Sequence, residues 1–207
     1  MPRVQLDEAL AQISEIRQQM AQAQVFRGYR SATTGFTVLV AAAAALAQAR
    51  WVPDPLRHLD AYLAVWCTAA LVSIVVVGIE MVVRSRRSGS SLQRQITLVV
   101  VDQFAPCLVA GALLTYVVAQ YARELGWAMP GLWAVLFSQG LFASRRFLPR
   151  GVFLIAGYYL LAGLVCLTLE PARALSPWTM GITFGAGQAL TAGFLYWTLE
   201  RGRGGAE

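Results

Sequence analysis

Polar and apolar positions fall into two regimes along this chain. Over residues 4–27 they recur with a helical period. Leu6, Ala9, Ile13, Ile16, Met20 and Ala23 follow one another at spacings of three and four, the a/d seam of three heptads. Asp7 and Glu8 near the start of this stretch, and Arg17 and Arg27 further on, suit the helix dipole. The pattern predicts an amphipathic cytoplasmic or interfacial helix within residues 1–30. Such a helix either lies on the membrane surface or docks a second copy or a cytoplasmic protein partner through Leu6, Ile13, Ile16 and Met20.

From residue 31 the periodicity gives way to long apolar blocks: about Ser31–Ala49, Leu59–Val83, Gln95–Gln120, Gly126–Ala143, Gly151–Leu169 and Pro177–Leu199. About 20 apolar residues cross the hydrocarbon core, and the first and fourth blocks are the weakest matches. The blocks predict an all-α integral membrane protein. Residues 31–200 form a six-transmembrane-helix bundle of three antiparallel hairpins, because the intervening loops are short, and residues 201–207 form a cytoplasmic tail.

Composition supports the bilayer as solvent. Hydrophobic residues make up 57% of the chain and charged ones 14%, where a soluble domain carries about 25% charged residues. The net charge is +6 and every basic residue is arginine. Thirteen arginines fall on one side of the predicted spans: Arg3, Arg17, Arg27 and Arg30; Arg84, Arg86, Arg87 and Arg94; Arg145, Arg146 and Arg150; Arg201 and Arg203. Arg50, Arg57, Arg123 and Arg173 fall on the other. The positive-inside rule then puts both termini in the cytoplasm, and five or seven spans would put a cluster on the wrong side. Trp51, Trp127 and Trp178 take aromatic-belt positions at the outer face. The first 30 residues lack the basic stretch and apolar core of a cleavable signal. An all-arginine basic set points to a GC-rich genome, hence to a bacterial inner (plasma) membrane.

Several chemistries drop out. Without lysine no retinal or pyridoxal Schiff base forms. His58 is the one histidine, so bis-histidine haem and multi-histidine metal sites are excluded within one chain. Cys67, Cys107 and Cys166 each sit inside an apolar block without C-x-x-C spacing, and read as packing residues. Nucleophile-elbow, zincin, Walker A and dinucleotide motifs are missing. No catalytic residue, metal or cofactor is implied, so the chain reads as a non-enzyme. The arginine–serine run over 84–94 lacks the interleaved aromatics of a nucleic-acid surface. The lipid bilayer is the implied environment, with a cytoplasmic partner or a homo-oligomer as the implied association.

Asp102 is the most suggestive position. It lies about seven residues, roughly 10 Å, into the third block. An ionised carboxylate there must face the bundle interior, pair, or stay protonated. Gln95, Val109, Leu113, Tyr116 and Gln120 fall near it on a helical wheel, giving a polar stripe. Pro106 frees the Asp102 carbonyl. Glu80 lies in the second block, with Arg84 four residues on for an ordinary i,i+4 pair. Tyr62, Trp66 and Ser73 share its face. Gln139 and Gln188 are the amides of the fourth and sixth blocks. Gly181, Gly185, Ala189 and Gly193 form a small-xxx-small ladder for helix packing.

Three functions are weighed, of which a membrane enzyme acting on lipid lacks any recognisable nucleophile or metal site and falls behind the other two. The first is a regulatory or scaffold subunit that docks a partner through its N-terminal helix. The second is a small proton- or ion-coupled solute transporter, with Asp102, Gln139, Gln188, Glu80, Tyr116 and Gln120 around a water-accessible cavity between spans two, three, four and six.

Overall fold

The computed structural model describes residues 31–87, 91–144 and 151–197. The heptad stretch with Leu6, Ile13, Ile16 and Met20, and the tail, lie outside them. The described residues are helical, with no strand among them. The long helices are α1 (Ser31–Trp51), α2 (Leu59–Arg87), α3 (Ser91–Tyr121), α4 (Met129–Ala143), α5 (Val152–Thr168) and α6 (Pro177–Leu195). A 3-10 turn, Arg123–Ala128, precedes α4, and one helical turn, Pro171–Ala174, precedes α6.

The apolar blocks thus become helices, and the starts of α4, α6 and the turn before α6 follow proline chemistry. Pro130, Pro171 and Pro177 each stand in the first turn of an element, where a missing N–H costs nothing. Three segments are long and apolar enough to cross a membrane: Leu59–Arg87, Thr97–Tyr121 and Arg123–Ala143. Helix α5 is a shorter apolar helix.

Contacts between the long helices follow chain order, and α6 returns against α1. Five of them, α1, α2, α3, α4 and α6, line a common cavity. The most extensive contacts are α1 with α6 and α4 with α5; the sparsest link in the ring is α2 with α3. A dense apolar cluster joins the last turns of α1 (Ala44, Ala45), the first turns of α2 (Leu59, Tyr62, Leu63, Trp66), Val118 near the end of α3, and Met129 at the start of α4. It gathers at the end of the ring that holds the 52–58 and 122–128 connections.

Close approach at α4–α5 rests on two glycines. A Cβ on Gly131 would stand 2.7 Å from the carbonyl oxygen of Gly163, and a Cβ on Gly163 would stand 2.8 Å from that of Gly131. Neither helix can carry a side chain there without moving backbone. The next joint, α5–α6, is similar: the Tyr159 ring fills the space a side chain at Gly187 would need. Tyr159 also meets Phe137 at 4.7 Å and Phe184 at 5.6 Å between ring centroids, so aromatic edges and faces join α4, α5 and α6.

Candidate functional site

Asp102 was expected to face the interior, pair, or stay protonated. It faces outward. Asp102, Pro106 and Gln120 are exposed, and Leu113 and Tyr116 are 61% and 58% exposed. Asp102 has neither an ion pair nor a hydrogen bond among the described residues. Periodicity fixes which residues share a face but not which way that face points, and valines and leucines flank the stripe on all sides.

The interior holds a different feature. A cavity of about 350 Å³ lies between α1, α2, α3, α4 and α6. Its lining comes from Thr37 and Ala41 of α1, Trp66 to Ile74 of α2, Cys107 to Thr115 of α3, Trp133 to Phe137 of α4, and Met180 to Gln188 of α6. The walls are overwhelmingly apolar and carry no charged residue. Leu71, Ile74 and Ala112 line it and are also exposed, so it opens sideways where α2 and α3 touch least.

Most polar groups in the wall are already used. Thr37 donates to the Thr34 carbonyl at 2.7 Å, and Ser73 donates to the Ala69 carbonyl at 2.8 Å. Thr115 donates to the Gly111 carbonyl at 2.7 Å and accepts from Trp133 Nε1 at 2.9 Å. Gln188 differs: it lines the cavity, and its amide makes no hydrogen bond among the described residues.

The remaining candidates are dispersed. Glu80 is half-buried, its Oε2 buried without a hydrogen-bond partner among the described residues, and it does not line the cavity. The side chain of Arg84 lies outside those described, as does that of Gln95. Trp66 and Ser73 line the cavity, but Tyr62 is fully buried in the apolar cluster with its hydroxyl unpartnered. Gln139 is exposed on α4. Of the ladder on α6, Gly181 packs near Ala45 of α1, whereas Gly185 and Gly193 have open space around them and Ala189 is exposed. Glu80, Asp102, Gln139 and Gln188 therefore do not line one cavity.

Sequence reasoning missed the strongest polar tie. Gln48 is fully buried near the end of α1. Its Nε2 donates to the Leu175 carbonyl at 2.6 Å, and its Oε1 accepts from Trp66 Nε1 at 2.7 Å. One amide thus stitches α1 to α2 and to the α5–α6 connection. The available signal was a glutamine at the end of an alanine-rich span, where a buried amide must find partners.

No family model, curated protein sequence or solved structure matches this chain. Its function has to be argued from the geometry.

Proposed function

We propose that this protein is a non-enzymatic, multi-pass subunit of a bacterial inner-membrane assembly, gripping a partner's transmembrane helix along the outward face of α3. One observation supports this above the rest. Asp102 lies within an apolar helix, on the outer surface, with no partner among the described residues. Carboxylates at such depth are rare and almost always face protein or water. A partner helix bringing a basic or hydrogen-bonding side chain to that depth removes the cost. A second copy serves less well. A parallel two-fold pair through α3 sets Asp102 against its own counterpart, and like charges disfavour that contact. The heptad face of Leu6, Ile13, Ile16 and Met20 supplies a second, cytoplasmic point of attachment.

In this reading the chain crosses the membrane six times with both termini in the cytoplasm. The arginine asymmetry supports that orientation. The carrier reading is weaker, because it needs Asp102, Glu80, Gln139 and Gln188 around one wet path, and the interior they would share is apolar.

The test is site-specific photocrosslinking in native membranes from position 113 on α3, with position 161 on the exposed face of α5 as control. The expected result is a discrete protein adduct from 113 only, identified as a chain with a donor side chain at matching depth. It should disappear in Asp102→Leu while the protein still accumulates. Lipid adducts alone at both positions would overturn the proposal.

A further inference from the structure

The cavity and the α3 stripe face opposite ways, and the cavity carries its own chemistry. We propose that it is a binding site for a neutral, lipid-soluble molecule with a flat carbonyl-bearing ring, of the quinone class.

Four observations lead there. The volume, about 350 Å³, falls within the range of small-molecule sites. The mouth, flanked by Leu71, Ile74 and Ala112, lies at mid-height between α2 and α3, so a ligand enters from hydrocarbon and not from water. The absence of charge in the lining rules out an ionic guest, because nothing there would repay the desolvation of its charge. Trp66, Trp133, Phe137 and Phe184 supply aromatic surface, which stacks offset or edge-on against a planar ring.

Gln188 decides between a plain alkyl chain and a molecule with a polar group. Its amide presents two donors and an acceptor, and no described residue engages them. An unpaired amide in an apolar cavity is costly, and an acyl tail offers it nothing. A ring carbonyl accepts one amide N–H directly. The hydroxyls of Thr37, Ser73 and Thr115 already donate to carbonyls of their own helices. Gln188 is thus the donor left over for a ligand, and it sits at the α6 wall of the cavity.

The experiment uses full-length protein in lipid nanodiscs, titrated with decyl-benzoquinone while tryptophan emission is followed, since Trp66 and Trp133 line the site. Saturable quenching is expected in the wild type. Gln188→Leu should weaken the apparent affinity about tenfold, the value of one hydrogen bond of ordinary strength. Ala112→Trp, at the exposed mouth, should abolish saturation. Hexadecane added in excess should compete poorly. Quenching that rises linearly with probe in wild type and variants alike would overturn the proposal. So would hexadecane displacing the probe fully with no effect of Gln188→Leu, which would assign the cavity to an acyl tail.

Discussion

Helices α3 and α4 are neighbours, yet the protein treats them differently. In the apolar 18-residue stretch of the segment that includes α4, 44% of the residues are buried inside the protein; in the corresponding stretch of α3 the share is 11%. Hydrophobicity does not explain the contrast, because lipid tails are as apolar as leucine and give helices no reason to prefer each other. Small residues do. Gly131, Ala134, Ser138 and Gly140 are all buried on α4, and they let its backbone come close to α5 on one side and to Phe104 and Cys107 of α3 on the other. Helix α3 turns outward a face of Leu98, Val109, Leu113 and Tyr116 around Asp102. The α4–α5 side is thus closed by backbone proximity. The α2–α3 side is left parted, with a cavity behind the gap.

The contrast breaks most readily at the glycine joint. Gly163→Ala places a methyl group 2.8 Å from both the Gly131 oxygen and Val135 Cγ2, so backbone must shift. A loss of about 3 kcal/mol is expected, the upper range for overpacking. On the same helix Gly157 has nothing within 4 Å of a built Cβ. Gly157→Ala should therefore gain up to about 1 kcal/mol from helix propensity. Thermal unfolding in detergent, followed by the monomer peak on gel filtration, compares the two. Equal effects would mean that packing density at α4–α5 is not what holds that side together.

A smaller effect is expected at Gln48, which joins the ring at α1. Gln48→Leu leaves the Trp66 indole N–H and the Leu175 carbonyl without their partner. Such a loss costs about 2 kcal/mol. Trp66→Phe should cost less, since the amide keeps Leu175. The double substitution should fall short of the sum, because the two side chains share one hydrogen bond. Strict additivity in the same unfolding assay would mean the Gln48–Trp66 bond contributes nothing.

These residues also show where the sequence was legible. The apolar blocks at 59–83 and 95–120 were readable because a span is a length of chain, and length needs no neighbour to define it. Gln139 and Gln188 look alike as single amides in apolar blocks, yet one is exposed and the other lines the cavity. Nothing local separates them, since either face of a spanning helix can be apolar. Asp102 was grouped with Leu113 and Tyr116 by period, while the direction of that face depended on where α2 and α4 pack. Gly131 and Gly163 lie far apart in sequence, and only their mutual approach reveals their role. The Gly181 ladder carried the conspicuous spacing, but spacing alone did not say that Gly185 and Gly193 would meet open space.

The smallest expected effect lies on the parted side. Asp60, in the first turn of α2, and Arg123, in the 3-10 turn after α3, approach to 2.6 Å and form the one ion pair among the described residues that bridges these two segments. It looks like a clasp across the gap. Both side chains are mostly in solvent, however, at 72% and 52% exposure, and exposed pairs are screened and lose side-chain entropy on forming. Asp60→Asn should leave the unfolding midpoint unchanged at physiological salt, even though it also removes a charge favourable to the helix start. A midpoint several degrees lower, recovering no further loss at high salt, would instead make this contact the closure of the α2–α3 side. The cavity mouth would then be a gate held by charge, and not a gap left by the want of small residues on α2 and α3.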